Sequence, residues 1–493
     1  MLSRRSFLAA SAGAAAAPLM GQSNRRPNVL FCIADDWGWP HAGAYGAKWV
    51  NTPAFDRIAR EGVLFNNCFT TNPKCSPCRA TILTGRNTWQ LEEAINHFGI
   101  FPHKWKVYPE ILEANGYWVG MTGKGWGPGD YVSGGFEHNP AGKEFQKYTL
   151  DPPAEGINRR DYARNFEDFL EQRPEGKPFC FWLGGHEPHR FYEDGSGARH
   201  GLDPAKVEVP KFYPDNGIVR NDMIDYAFEV QWFDSHVGKA LDKLEQMGEL
   251  DNTIVVMSSD HGMPFPRVKG QIYEDGFHIP LAIRWGGMRG GRVVDDFINV
   301  RDFGPTYLEM AGITQPDTMT GKSFLNVLKS NKAGWVDESR DVMLIGKERH
   351  DLGRPDDAGY PVRAIRTKDF LYVRNYAPDS WPAGNPETGY RNVDDSPTKR
   401  LIERSFDKFY RLSLGKRPPE ELYRVQSDPD CMENVANDPE FWKVKSELRA
   451  RMEEMLRQEG DPRTLGHAEV FETYRYVGGR GHSYDAWLEN QKE

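Results

Sequence analysis

Continuous apolar runs alternate with amphipathic segments along the first two thirds of the chain, and each run stops at polar residues. Val29–Ala34 is apolar throughout, as a parallel strand covered on both faces requires, and it stops at Asp35-Asp36. Thr52 and Pro53 predict a helix start as N-cap and first helical residue. Phe55, Ile58 and Ala59 share a face of this helix, and Gly62 ends it. A helix near Tyr108–Asn115 leads into the run Tyr117–Met121, which stops at Gly123-Lys124. A helix over Asp161–Gln172 leads into Phe179–Leu183, which stops before His186. A third, over Asn221–Met247, leads into Thr253–Met257, which stops before Asp260-His261. Ligands of open parallel sheets collect beyond the carboxyl ends of the strands. These four strand ends therefore predict one polar site.

Past about residue 335 the rhythm weakens. Pro361–Ile365 and Phe370–Val373 alternate like strands of a small sheet, Trp442–Gln458 reads as an amphipathic helix, and Pro378–Pro397, rich in Pro, Gly and Asp, as a long surface loop. The expected fold class is α/β: a large, mostly parallel central sheet over residues 25–335, then a smaller α+β domain and tail over 336–493. Residues 1–22 read differently. MLSRRSFLAASAGAAAAPLM places Arg4-Arg5 ahead of Phe7-Leu8 and an Ala-rich run, the pattern of a twin-arginine export signal with a cleavage region around Ala14–Ala17. The uncharged stretch Ser6–Ser23 is too weakly apolar to span a bilayer well. An exported protein, periplasmic or extracellular and without a membrane span once mature, is the expectation.

Composition narrows the chemistry. With 39% hydrophobic and 27% charged residues among 493, a sizeable core can be buried. Lys+Arg 62 against Asp+Glu 71 gives a net charge of −9, which disfavours a nucleic-acid partner. Only 6 cysteines exclude a disulfide-built scaffold. Cys32 and Cys180 fall inside predicted strands, where cysteine packs as a small apolar residue. Cys75 and Cys78 form a C-x-x-C pair, but no second pair completes a zinc site, and their position fits a thioredoxin-like unit poorly. Asp35, Asp36 and Asp260, on one sheet edge, offer oxygen ligands to a hard cation such as calcium or magnesium.

The segment Cys75-Ser76-Pro77-Cys78-Arg79, followed by Leu83-Thr84-Gly85-Arg86, resembles the signature of the type I sulfatases. The resemblance extends from Pro27-Asn28-Val29 to Glu421-Leu422-Tyr423. It implies an alkaline-phosphatase-like sandwich and a cysteine, Cys75, oxidised to formylglycine by a maturation enzyme that recognises Cys, Pro and Arg. The residue after Pro is usually Ser, Ala or Thr in that family and is Cys78 here. In the implied reaction the hydrated aldehyde attacks sulfur, and its second hydroxyl then expels sulfate. Pro77 is expected to begin a helix, putting the nucleophile at a positive helix terminus.

By the same resemblance Asp35, Asp36, Cys75, Asp260 and His261 surround one divalent cation, Ca2+. Arg79 stabilises the hydrated aldehyde and the metal cluster, Lys124 and Lys269 bind sulfate, and His186 stands near the leaving group as a general acid. Two residues after the lysine the family often has His; here stands Trp126. The segments Asp260–Pro266, Gly346–Asp351 and Tyr360–Arg363 look closest to the heparan N-sulfatase branch. That likeness makes His350, Asp351 and Arg363 candidates for sugar contacts and a sulfated sugar or glycosaminoglycan fragment the substrate. An O-sulfatase of another polysaccharide, an arylsulfatase, a phosphonate or phosphate ester hydrolase of the same fold, and a non-catalytic sugar-binding homologue are the competing readings.

Overall fold

The structure, a computed structural model, describes residues 25–405, 407–481 and 483–492, so the expected export signal lies outside the described residues. Strand β1 (Asn28–Ala34) is central, and its side chains alternate between two cores. Leu30, Cys32 and Ala34 enter one, and Val29, Phe31 and Ile33 the other. It is joined by β2 (Val63–Phe69), β3 (Trp118–Gly123), β4 (Phe179–Gly184), β5 (Thr253–Ser259), β6 (His278–Arg284), β7 (Arg292–Val294) and β8 (Ile298–Asn299). The sheet runs β8-β2-β6-β5-β1-β4-β3, with β7 also paired to β2. The four strands read from the sequence, β3, β4, β1 and β5, are parallel neighbours, whereas β6 is antiparallel to β5 and β2. Ile33 pairs with both Gly184 and Ser258, and Gly123 with Gly184, so the four strands end level.

Helices cover both faces. α1 (Pro53–Glu61), α4 (Tyr162–Glu171) and α5 (Gly217–Gln246) pack on the Leu30 face, and α2 (Cys75–Thr84) and α3 (Tyr108–Ala114) on the Phe31 face. α1 starts where Thr52-Pro53 predicts, yet Thr52 does not cap it with its side chain. The Asp234 carboxylate on α5 accepts from Ala54 N–H and Phe55 N–H, each at 2.9 Å. α5 starts at Gly217, earlier than Asn221, because the Asn216 side chain accepts from the Ile218 and Val219 amides. α2 begins at Cys75 itself, so Pro77 lies within the first turn rather than at the helix start; proline is tolerated there because the first-turn amides have no intrahelical partner.

A second, antiparallel sheet contains β9 (Val342–Lys347), β10 (Val362–Thr367), β11 (Phe370–Asn375) and β12 (Glu420–Arg424) in that order. One face packs Met343, Val362 and Leu371 against Phe69, Tyr273 and Phe277 of the larger unit. The other packs Leu344 and Leu422 against Leu448, Met452 and Leu456 of a long C-terminal helix, Trp442–Gln458. The Pro378–Pro397 stretch is a correction to the sequence reading. It is irregular, but Ala383, Tyr390 and Val393 are buried in the core beneath α5, and the following helix α6 (Pro397–Ser405) packs on α5. Among the described residues no helix is long and apolar enough to cross a membrane.

Candidate active site

The level strand ends deliver Asp35 and Asp36 after β1, Lys124 after β3, His186 after β4 and Asp260-His261 after β5. The N-terminus of α2 brings Cys75 to the same edge. Cys75 Sγ lies 3.4 Å from His261 Nε2, which is 3.0 Å from Asp36 Oδ1 and 3.7 Å from Asp260 Oδ1. Asp36 has φ +76°, a left-handed conformation uncommon for a non-glycine residue, held by its amide donating to Asp260 Oδ1 at 3.1 Å.

Three cations hold the carboxylates. Arg79, on α2 and fully buried, donates from Nε to Asp260 (2.9 Å) and from Nη2 to Asp35 (3.3 Å). Its Nη1 donates to the Lys124 and Gly125 carbonyls at 2.8 and 3.0 Å. Lys124 Nζ meets Asp35 at 2.5 Å, and Lys269 Nζ lies between Asp36 (2.7 Å) and Asp394 (2.8 Å).

Electrostatics follow from this packing. Burial alone would raise Asp35 and Asp36, but Lys124 with Arg79 outweighs it at Asp35, and Lys269 with His261 at Asp36; both carboxyls stay below the ordinary range. Burial pushes Asp260 up to about 7, with Asp35 adding to the rise against His261 and Arg79. Burial and the neighbouring Lys124 push His186 down to about 3. The His186 amide is fixed by the Tyr162 hydroxyl at 3.1 Å, and its Nε2 lies 3.3 Å from Arg160.

One atom each from Asp35, Cys75, Asp260 and His261 lie within 4.8 Å of one another. Asp36 Oδ1 is buried and meets only the His261 imidazole, at 3.0 Å and without hydrogen-bond geometry, among the described residues. A buried carboxylate oxygen with no well-formed hydrogen bond, beside two further carboxylates, fits a divalent cation, and the oxygen-rich donor set suits a hard one. The imidazole of His261 is the softer member of that set.

Beside this cluster opens a cavity of about 1090 Å³, walled by Lys124, Lys269, His186, His189, Asp394 and Asp351 among others. Of the three residues expected to touch sugar, only Asp351 reaches this wall, and its carboxylate is engaged by His97 (2.7 Å) and Lys74 (3.4 Å). His350 is buried against Asn72 at 3.3 Å. Arg363 is fully buried and spent on Asp461 (2.7 Å) and Glu348 (2.8 Å), which makes it a brace of the second sheet rather than a sugar contact. Trp126 is buried, with its indole N–H donating to the Ser76 carbonyl at 3.0 Å. All six cysteines are free and buried, so Cys75 and Cys78 form no disulfide.

The sequence reading missed Lys74, His97 and Asp394. Lys74 could have been noticed as the residue before the signature. Asp394 sits in the stretch taken for a surface loop, and His97 belongs to no motif.

Comparison with known proteins is consistent with this geometry. Residues 27–313 match the family model described as Sulfatase, and residues 265–381 match N-sulphoglucosamine sulphohydrolase, C-terminal. Human N-sulphoglucosamine sulphohydrolase is 26% identical over 508 residues, covering 90% of this chain and 93% of its own. An ulvan-active sulfatase of Formosa agariphila is 26% identical over 476 residues, covering 90% and 77%. A protein solved in complex with its substrate D-glucosamine-2-N,6-O-disulfate superposes with a TM-score of 0.64 at 23% identity, covering 89% of this chain and 99% of that one. A phosphonate monoester hydrolase from Silicibacter pomeroyi superposes with a TM-score of 0.65 at 17% identity, covering 88% and 96%.

Proposed function

Because the chain belongs to the sulfatase family, we propose that it removes sulfate from a sulfated sugar, with the N-sulfo group of N-sulfoglucosamine as its preferred target. The observation that carries this reading is the placement of Lys124, Lys269 and His186 on one cavity wall beside Cys75 at the α2 N-terminus. Two lysines, a helix terminus and a cation site give a local positive field, which an anionic sulfate needs in a chain of net charge −9. The C-terminal match to N-sulphoglucosamine sulphohydrolase favours the N-sulfated glucosamine of a glycosaminoglycan fragment.

When present, a formylglycine made from Cys75 and a calcium ion held by Asp35, Asp36, Asp260 and His261 supply the nucleophile and its activation. The chain's own residues do the rest. Lys124 and Lys269 neutralise the sulfate oxygens, and each is kept charged by the carboxylate it touches. Arg79 ties Asp35 and Asp260 to α2, fixing residue 75 against the cation ligands. Burial and Lys124 keep His186 neutral, and a sulfate bound beside it would supply the negative charge that raises its proton affinity, letting it serve the leaving nitrogen.

Maturation by a formylglycine-generating enzyme that reads Cys75, Pro77 and Arg79, and export by the twin-arginine machinery through Arg4-Arg5, belong to the same proposal. The relatives acting on ulvan sustain one competing reading, an O-sulfatase of another polysaccharide. A panel of N-sulfoglucosamine, 6-O- and 2-O-sulfated monosaccharides, an aryl sulfate and a phosphonate monoester decides between them. The expected result is the highest kcat/KM on N-sulfoglucosamine; an O-sulfated sugar in first place would overturn the substrate assignment.

A further inference from the structure

The family matches end at residue 381, yet the wall of the cavity continues beyond it, in residues 388–403 and 476–481. The four lysines of the wall are all engaged. Lys124 and Lys269 face the aspartates, Lys74 meets Asp351, and Lys399 donates to the Gly389 and Val393 carbonyls at 2.7 and 2.8 Å. The carboxylates are paired as well: Asp351 with Lys74, Asp394 with Lys269, Asp395 with Arg400, and Glu403 with Lys399 at 3.8 Å. Arg391 stands apart. It is exposed on this wall, and its guanidinium makes no ion pair or hydrogen bond among the described residues.

The backbone that carries Arg391 is nonetheless fixed. Tyr390, Asn392 and Val393 around it are buried. The Asn392 amide donates to the Ala383 carbonyl at 2.9 Å, its side-chain Nδ2 donates to the Asp351 carbonyl at 3.1 Å, and its Oδ1 accepts from Arg354 at 2.9 Å. Asp351 in turn meets Lys74 at 3.4 Å, the residue before Cys75, so a short run of contacts ties the base of Arg391 to the start of α2. An apolar surface shares the wall. The rings of Phe98 and Tyr476 lie 5.5 Å apart, and the Val477 amide donates to the Phe98 carbonyl at 2.9 Å, which fastens the C-terminal stretch there. Apolar surface with a few placed polar groups is what orients a small ligand in a pocket.

We propose that Arg391 binds a second anionic group of the substrate, while Phe98 and Tyr476 support the sugar ring between that group and the sulfate being removed. The inference rests on the reading of the cavity as a site for a sulfated sugar. A guanidinium fork matches a sulfate ester or a carboxylate with two parallel hydrogen bonds. On a sulfated glucosamine the second group is a sulfate on O6 or the carboxylate of an adjoining uronate. Because no carboxylate of the protein occupies the fork, an incoming anion displaces no ion pair. Arg391 is thereby a specificity-determining residue, outside the groups that act at sulfur.

The test uses the full chain as wild type, Arg391→Gln and Arg391→Lys. In matured protein, kcat/KM is measured on N-sulfoglucosamine, on glucosamine bearing N- and 6-O-sulfates, and on an N-sulfoglucosamine–uronate disaccharide. The readout is the ratio of each doubly anionic sugar to N-sulfoglucosamine. Wild type should favour one of them by about ten- to a hundredfold, mainly through KM, as a charge-assisted contact supplies. That ratio should fall to near one in Arg391→Gln and lie between in Arg391→Lys, which keeps the charge without the fork. The sugar whose ratio falls identifies the anion. A wild type indifferent to both second anions, or an Arg391→Gln that keeps the preference, would overturn the proposal. A second arm titrates both doubly anionic sugars into unconverted Cys75 protein by calorimetry, where Arg391→Gln should weaken the favoured one about tenfold or more. Equal affinities, or no binding to wild type, would also overturn it. A matured wild type that releases sulfate from none of the three sugars would sink the sulfatase reading instead, and the calorimetric arm would then decide the Arg391 contact by itself.

Discussion

Lys269 offers a test in which stability and function separate. Its side chain is 1% exposed, and its ammonium is shared by Asp36 at 2.7 Å and Asp394 at 2.8 Å. Lys269→Met keeps most of the stem and removes the charge, leaving two carboxylates facing each other. Breaking a buried pair by removing one partner costs about 3–5 kcal/mol. A divalent cation on Asp36 replaces part of the lost positive charge, so the destabilisation should be larger in chelator than with calcium added. The second effect is on sulfate. Losing one preorganised contact to developing charge costs on the order of 10²–10³ in rate, about 2.7–4 kcal/mol. Denaturant unfolding with and without calcium gives the first quantity, and kcat/KM on N-sulfoglucosamine the second. The reasoning fails if Lys269→Met keeps kcat/KM within tenfold of wild type, or if calcium makes no difference to its stability loss.

Other outcomes follow from the same contacts. Arg363→Ala should destabilise by about 3–5 kcal/mol, because it strands the buried Asp461, while Glu348 keeps Arg463, and KM for sulfated sugar stays unchanged in the folded fraction. His261→Asn replaces a nitrogen donor by an amide oxygen and should tighten calcium binding, measured by titration calorimetry, relative to a softer cation such as zinc. Burial pushes His41 down to about 3 and His236 down to about 4, so the folded protein binds fewer protons than the unfolded chain below about 6.5. The stability these neutral imidazoles allow is present above pH 6.5 and lost as pH falls, by about 1.4 kcal/mol per unit for each. His236→Gln should flatten the acid limb of a urea-unfolding series by one such increment. Cys78→Ser should retain sulfatase activity, since Cys78 is a free, buried thiol that α2 packs into the core, and a collapse of turnover in a folded variant would restore a redox role.

How much was legible in the sequence depends on how local the signal was. The four parallel strands were readable because a strand buried on both faces leaves an unbroken apolar run that ends on its polar residue. The central aspartates, Lys124, His186 and Asp260 come together for that reason alone. The start of α2 was misread by two residues, since proline is favoured at the first helical position and tolerated throughout the first turn. Asp394 was invisible: nothing in Pro378–Pro397 has the period of a helix or strand, and the half-buried Asp394 is brought to the site by its neighbours Tyr390 and Val393, which enter the core beneath the distant α5. His97 was hidden for a similar reason, being defined by a carboxylate at residue 351. Arg363 was misassigned because its partners, Glu348 and Asp461, are brought together only by the second sheet and the segment after its covering helix. Local pattern located the reacting end of the site, whereas the wall facing the sugar is built from returns of the chain that leave no periodic trace.

The most direct test of the account is the mass of the residue-75 peptide in protein co-expressed with a formylglycine-generating enzyme, taken from the same preparation that is assayed for sulfate release. The expected result is the aldehyde at position 75, with sulfate release proportional to its occupancy. Sulfate release from a preparation whose residue 75 is an unmodified thiol would contradict it.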